Sequence, residues 1–396
     1  MKKNNLDQLI EIMLFAYILS LFLLAYREGL NHFSNIIALI LMGTIWFQSL
    51  MIKRRIVINI FLVAYIFFVF VCLSSSFYAI NQNFAMRKVL TLILLLMLMA
   101  SIVNYVDTVS KLRRLMLNYV YAGFIASLYI IVISDFSDIT RFGGDLGNVN
   151  AVGLIVAISS IFCFYCLVEE RKYRYIPIWL INTLVVLLTG SRKAFILIIF
   201  AIIVILIFRP NANYTQRAKN MFLGMAIVFI IIATINQNPY FYQITGRRME
   251  ALIDVISGAE TTDQSMIIRS KMIEEGWTWF REKPILGYGI DNYRFLLRNS
   301  PMGRETYSHN NLIELLIGTG IMGAFAYYFS NILVIINSLR AQKTLAVPQI
   351  YPFIAIISAY LILSVGMVYY DEKNISILLA AASSIQRIIE VEGLGS

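Results

Sequence analysis

One short stretch combines side chains that could move a proton. Ser308, His309, Asn310, Asn311 and Glu314 stand at the start of a long apolar run, and His309 is one of only two histidines. Ser308 is a good helix N-cap, so we expect a helix to begin near His309. The positive end of a helix dipole favours the neutral imidazole, which is the form that accepts a proton. Glu314 lies deeper in the apolar run, where a carboxylate is costly, and we expect an arginine partner for it.

A second stretch, TGSRKAF at 189–195, places two adjacent cations in a very short turn between apolar runs. Arg192 and Lys193 could simply extend along the membrane interface. They could also bind an anion, because a guanidinium matches phosphate geometrically. On the second interpretation, the backbone N–H groups of Gly190 and Ser191 stay open to the same anion, at the positive end of the following helix.

Two further places carry polar groups beside apolar runs. The stretch RFGGDLGNVNAVG contains Arg141, Asn148 and Asn150. Either asparagine could cap the next helix, or Asn150 and Arg141 could contact a substrate. Arg269 is the remaining candidate, and the alternative for it is an ordinary surface arginine.

The elements that position these residues are membrane helices. Of the 396 residues, 59% are hydrophobic and 14% are charged, against about 25% charged in soluble domains. This composition predicts an all-α polytopic membrane protein, and its net charge of +10 requires no nucleic acid. A span needs roughly 20 apolar residues. Twelve stretches qualify approximately: 9–26, 33–52, 56–78, 88–106, 114–134, 149–168, 173–189, 193–208, 220–236, 309–338, 348–370 and 373–390.

The distribution of Lys and Arg predicts the orientation of these helices. One alternate set of segments carries 17 of them, the other set carries 7, and nine lie in the long segment 237–308. The positive-inside rule then places both termini in the cytoplasm and the long segment outside. We therefore predict three regions: helices 1–9 in 1–236, an external or periplasmic loop in 237–308, and helices 10–12 with a cytoplasmic C-terminus in 309–396.

The long segment has the pattern of a folded lid. Apolar residues in 265–281 recur at helical spacing between charges, which predicts an amphipathic helix. Pro284, Gly287 and Gly289 then indicate tight turns. Nine acidic residues balance the nine basic ones, so we expect a mixed-charge surface. In the following span, Gly318, Gly320 and Gly323 predict a thin face for close helix packing.

Several function classes fit poorly. No nucleotide-binding loop is present, and no pair of aspartates stands in a predicted cytoplasmic loop, which disfavours an enzyme using sugar nucleotides there. We expect no cofactor and no metal. Many transporters are built from two repeated halves. The chain shows no internal repeat, which disfavours that architecture.

Three motifs in order resemble those of the bacterial O-antigen ligase and polymerase superfamily. They are GSR at 190–192, an arginine-bearing loop helix ending in P-x-x-G-x-G, and H-N-x9-G-x-x-G from His309 to Gly323. The twelve-span layout and the position of the long loop extend this similarity along most of the chain.

The resemblance implies an inverting, metal-independent membrane glycosyltransferase. Members use glycans carried on undecaprenyl pyrophosphate at the outer face of the cytoplasmic membrane. By this resemblance, Arg192 and Arg269 bind the pyrophosphate and His309 deprotonates the acceptor hydroxyl. Our list of substrate-binding candidates comprises Arg192, Arg269, Lys193, Asn310, Glu314, Arg141 and Asn150.

The branch of the family stays open. The lysine after GSR and the Ile- and Asn-rich chain favour a polymerase of O-antigen or capsule repeats. A ligase that transfers the glycan to lipid A core or another acceptor is the alternative. A lipid-linked oligosaccharide flippase and an assembly scaffold are candidates from other classes. Expected partners are the lipid-linked donor, a glycan acceptor, the bilayer, a chain-length regulator and a flippase.

Overall fold

Helices form all the regular structure. The structure, a computed structural model, describes residues 5–135, 141–207, 214–257, 263–345 and 347–393. Within these residues no strand occurs, so the predicted all-α class is confirmed. Residues 208–213, at and after the end of the predicted span 193–208, lie outside the described residues, and so do residues 258–262 of the long segment.

The described chain forms seventeen α-helices. They are α1 Asn5–Leu23, α2 Asn31–Phe47, α3 Ile60–Ser76, α4 Gln82–Tyr105, α5 Val109–Ile133, α6 Val149–Val168, α7 Ile176–Leu188, α8 Arg192–Ile207, α9 Tyr214–Gln237, α10 Pro239–Phe241, α11 Arg247–Ser257, α12 Gln264–Glu282, α13 Tyr293–Asn299, α14 Asn311–Leu345, α15 Tyr351–Leu363, α16 Lys373–Ser383 and α17 Ile385–Glu392.

Eight described helical stretches are long and apolar enough to cross a membrane. Three further apolar stretches, Ile60–Ser76, Tyr173–Leu188 and Pro348–Leu363, are shorter, and α8 has 16 residues. Since a straight crossing needs roughly 20 residues, the count of twelve spans stays a prediction. Every one of the twelve predicted stretches nevertheless contains a helix.

The connections between helices gather at two ends of the bundle. At one end, Lys53 pairs with Asp107 at 2.7 Å. At the other, the Tyr26 hydroxyl donates to Glu372 at 2.9 Å. We call the latter the site end, formed by residues 24–30, 77–81, 141–148, 189–191, 238–257, 263–310 and 364–372. This grouping matches the alternating path that the sequence predicts.

The predicted amphipathic helix is present as α12, and it packs on the first half of α14. Its Gly276 lies against Ile313 of α14. The Tyr293 hydroxyl donates to the Met272 carbonyl at 2.6 Å, which fixes α13 beneath α12. A separate small core thus holds the long segment onto the helix that follows His309.

The glycines of α14 have a different role from the one predicted. Gly320 has φ 64° and ψ −165° and interrupts the helix, a conformation that only glycine adopts readily. The turn at 284–289 inserts at this break. The Ile321 N–H donates to the Pro284 carbonyl at 2.9 Å, and the Tyr288 N–H donates to Ile317 at 2.7 Å. The close packing is therefore with a loop, and the expected helix-on-helix face was wrong.

Candidate active site

A cavity at the site end brings predicted residues from distant parts of the chain together. Lys193, Arg269 and His309 all line it, together with Asn150 and Glu372. Its empty volume is ≈ 650 Å³, open space included. A polar cavity with converging charged groups is the usual setting of a binding or catalytic site.

His309 lies in the loop before α14 in a left-handed backbone conformation, with φ 58°. This conformation is uncommon for a residue with a side chain. The Tyr307 ring packs against the imidazole, with 4.2 Å between ring centroids. Among the described residues, the imidazole donates and accepts no hydrogen bond, so its nitrogens remain available to a ligand in the cavity.

The residues around His309 hold this loop. The Ser308 N–H donates to the Glu314 carboxylate at 2.7 Å, and the Ile313 N–H donates to the Asn310 side chain at 3.1 Å. Asn310 is thus the N-cap of α14, and the prediction of Ser308 as the cap was wrong. The expected arginine partner of Glu314 was wrong too, because a backbone N–H already satisfies the carboxylate.

Electrostatics keep His309 neutral. Burial is the largest cause that lowers the pKa of His309, and the positive charges of Arg269 and Lys193 lower it further, to about 4. A protonated imidazole would be poorly solvated and repelled by two cations. At neutral pH the ring therefore has a nitrogen lone pair that can accept a proton.

The TGSR turn is tightly packed. Gly190 has φ 57°, and a Cβ there would lie 2.6 Å from the Ile244 carbonyl oxygen. The Gly190 N–H donates to Leu187 at 3.0 Å, and the Ser191 N–H donates to the Thr189 hydroxyl at 3.3 Å. The prediction that these two N–H groups stay open to an anion was wrong, since the turn uses them itself.

Arg192 and Lys193 leave this turn in different settings. Arg192 is buried and donates to Asp263 at 3.0 Å and to the Arg248 carbonyl at 3.3 Å. It does not line the cavity, whereas Lys193 does. The positive charge of Arg192 lowers the pKa of Arg269, so the two guanidinium groups act on each other electrostatically.

Arg248 acts electrostatically on Arg192 and Arg269 without lining the cavity, and the sequence reasoning missed it. Burial lowers the pKa of Arg248, and so do the charges of Arg192 and Arg269. Its Nε is buried and has no hydrogen-bond partner among the described residues. Acidic residues balance the basic ones over the whole segment 237–308. This overall balance gave no indication of the local excess of positive charge around Arg248.

We call five residues the cation cluster: Arg141, Arg192, Lys193, Arg248 and Arg269. They act on one another electrostatically, as the lowered pKa values of Arg141, Arg248 and Arg269 show. Asp263 is the one carboxylate among the causes of these pKa shifts in the described residues. It pairs with Arg192 of the cluster. A group of cations with this excess of charge suits a multiply charged anion.

Comparison with protein-family models matches residues 177–328 to the family described as O-antigen ligase. Residues 177–328 belong to the O-antigen ligase family. The predicted resemblance is confirmed. A search of curated proteins returns no match for the chain. Its apolar helices indicate a multi-pass membrane protein, and its segment 177–328 is of the O-antigen ligase type, a family of polysaccharide biosynthesis.

The O-antigen ligase segment builds only part of the cavity. It contributes Lys193, Arg269 and His309, whereas Asn150 and Glu372 come from outside the match. Arg141 joins the two parts, since its guanidinium donates to the Thr189 carbonyl and to the Asn150 side chain, both at 2.7 Å.

Proposed function

We propose that the protein is an inverting, metal-independent glycosyltransferase that polymerises undecaprenyl-pyrophosphate-linked oligosaccharide repeat units, of O-antigen or capsule type. One observation carries the proposal. His309 and two members of the cation cluster, Lys193 and Arg269, line a common cavity, and all three belong to the segment that matches the family. The cavity thus offers cations for a diphosphate and a neutral base next to them.

The cation cluster binds the pyrophosphate of the donor. Arg269 and Lys193 contact it directly, and a guanidinium can hold two phosphate oxygens at once. Arg192 joins them when Asp263 releases it, because the donor phosphate then replaces the carboxylate. As the glycosidic bond breaks, negative charge grows on the pyrophosphate, and fixed cations stabilise that charge without reorganisation.

His309 acts as the base. The imidazole nitrogen takes the proton from the acceptor hydroxyl, and that oxygen forms a bond to the anomeric carbon. The bond from this carbon to the phosphate oxygen breaks, and undecaprenyl pyrophosphate leaves with the electron pair. Attack from the face opposite the leaving group inverts the anomeric configuration. Asn310 and Glu314 position His309, since both already bond the backbone around it.

The site end faces the exterior or periplasm of the cytoplasmic membrane, and both termini are cytoplasmic. The 17 to 7 bias of Lys and Arg supports this orientation. The segment 237–308 is then the external loop between the helices of 1–236 and those of 309–396. A chain-length regulator and a flippase are the partners that this arrangement calls for.

A ligase is the second candidate, because the matching family model is described as O-antigen ligase. Purified protein in liposomes, given a lipid-pyrophosphate-linked repeat unit and EDTA, tests both functions. A polymerase produces a ladder of lengthened glycans on a gel, and a ligase produces one product only when its acceptor lipid is added. Transport of the substrate without a new glycosidic bond would instead indicate a flippase.

A further inference from the structure

A carboxylate, Glu372, lines the same cavity and pairs with no cation within the described residues. One oxygen of Glu372 accepts the Tyr26 hydroxyl at 2.9 Å. Within the described residues, its other oxygen has no hydrogen bond and the carboxylate makes no ion pair. The neighbouring cations bind elsewhere: Lys373 donates to Asn35, and Lys88 pairs with Asp371.

The environment of Glu372 is costly for a charge. Burial and the adjacent Asp371 raise the pKa of Glu372 to about 7, although Tyr26, Lys373 and Lys88 favour its ionised form. A carboxylate oxygen without a hydrogen-bond partner can accept a hydrogen bond from a ligand. Its place in a cavity wall points to a ligand that donates hydrogen bonds.

Two amides complete this part of the wall. The Asn150 oxygen accepts from Arg141, and the Asn148 oxygen accepts from the Asn150 N–H as the cap of α6. Among the described residues, both NH₂ groups are without partners. The wall therefore combines two amide donors with a carboxylate acceptor, and sugar hydroxyls can serve both kinds of group.

The two charged parts of the cavity are near each other. The pKa of Tyr307 is raised by burial, lowered by Arg269 and raised by Glu372, so the phenol lies within electrostatic reach of both. The carboxylate repels a diphosphate, which settles on the cation cluster. An inverting transfer needs the acceptor hydroxyl on the far side of the anomeric carbon from the diphosphate. The carboxylate, which repels the diphosphate, and the free amide NH₂ groups are thus better suited to the hydroxyls of the acceptor.

We propose that Glu372, together with Asn148 and Asn150, binds the sugar of the acceptor glycan. This assignment rests on the proposed function for its orientation, and it adds a substrate subsite built from residues outside the family match. Glu372 accepts a hydrogen bond from an acceptor hydroxyl and holds the ring so that another hydroxyl reaches His309.

The test uses Glu372→Gln, which keeps the size of the side chain and an acceptor for Tyr26. The matched control is Glu305→Gln, on an exposed carboxylate at the same end, outside the cavity. Donor is held at saturation. The acceptor, whose concentration is varied, is a repeat unit in which a methylene replaces the oxygen between the sugar and its lipid diphosphate. This analogue can receive a glycan on its hydroxyl, but its own glycan cannot be transferred. We expect the acceptor KM of Glu372→Gln to rise at least tenfold. Inhibition by undecaprenyl pyrophosphate should change less than twofold.

A second measurement needs no turnover. Saturation-transfer NMR follows the oligosaccharide repeat unit, freed from its lipid carrier, on purified protein. We expect a signal with the wild type and with Glu305→Gln, and its loss in Glu372→Gln. Three results would each overturn the subsite: an unchanged acceptor KM, an equal rise in the acceptor KM and in the inhibition constant of undecaprenyl pyrophosphate, or an unchanged NMR signal. If the wild type transferred no sugar, the proposed function would fail, while the NMR comparison would still decide on Glu372.

Discussion

At the scale of single residues, the site combines a neutral imidazole with a concentration of positive charge. His309 adopts a left-handed backbone conformation that its neighbours stabilise: Glu314 binds the preceding N–H, and Asn310 caps the helix that follows. Arg269 and Lys193 lower its pKa. The two cations that we propose bind the donor thus also keep the imidazole of His309 unprotonated.

The first prediction concerns the protonation of His309. Since the folded pKa is about 4 against an ordinary value of about 6.5, the unfolded chain binds more protons between these values. This group therefore makes the free energy of unfolding rise with pH across that window, with its full contribution above pH ~6.5. Diethyl pyrocarbonate reacts with neutral imidazole, so modification of His309 should be half-maximal near pH 4.

Mass spectrometry of the digested protein measures that reaction, and His309→Asn verifies the assignment of the modified peptide. Reagent concentration is measured at each pH with free imidazole of known reactivity, which corrects for decay of the reagent. A midpoint for His309 near pH 6.5 would show that neither burial nor the two cations acts on the ring as described.

The second prediction concerns Arg248, which sequence reasoning missed. Arg248→Gln should weaken binding of undecaprenyl pyrophosphate at least tenfold, since a charge-assisted hydrogen bond contributes about 1.5–3 kcal/mol and tenfold corresponds to ~1.4 kcal/mol. Arg247→Gln is the matched control, because Arg247 is its exposed neighbour on α11. Equal affinities for the two variants, measured by titration calorimetry, would remove Arg248 from the site.

At the scale of elements, sequence patterns located the pieces but not their contacts. The helical rhythm of 265–281 correctly predicted α12, and positive φ at Gly287 and Gly289 bears out the turn. Helix α11 was missed within the long loop. The pairing of Arg192 with Asp263 joins residues 71 positions apart, and periodicity carries no information about such contacts.

The break in α14 gives the third prediction. Gly320→Ala should destabilise the protein by at least ~1–3 kcal/mol, because its backbone conformation is strained for alanine and the new Cβ would overlap the Ile285 carbonyl. Gly43→Ala is the control: Gly43 is helical in α2, with open space around it. Thermal unfolding in detergent, followed by tryptophan fluorescence, compares them. Equal melting temperatures for both variants would contradict this account of the break.

At the scale of the whole molecule, the site depends on helices far apart in sequence. The O-antigen ligase segment carries Lys193, Arg269 and His309, while α6 and the loop before α16 supply other lining residues. Composition and charge bias predicted the bundle and its alternating path. They could not show that Glu372 would meet His309 in one cavity, because that depends on packing between helices distant in sequence.

The fourth prediction concerns the orientation of this assembly. The proposed orientation places Arg304 of the site end outside the cell and Arg55 of the opposite end inside. Both residues are exposed, and the three native cysteines are buried. In intact cells, a membrane-impermeant maleimide should label Arg304→Cys and spare Arg55→Cys until the cells are lysed. The reverse pattern would place the site on the cytoplasmic side.

The most direct test of the site separates binding of the donor from chemistry. Affinity for the lipid-pyrophosphate-linked repeat unit and glycan transfer are both measured on the wild type, Arg269→Ala and His309→Ala in liposomes. We predict that Arg269→Ala binds the donor at least tenfold more weakly, and that His309→Ala binds it normally but transfers no sugar. Normal donor binding by Arg269→Ala, or glycan transfer by His309→Ala, would contradict the account.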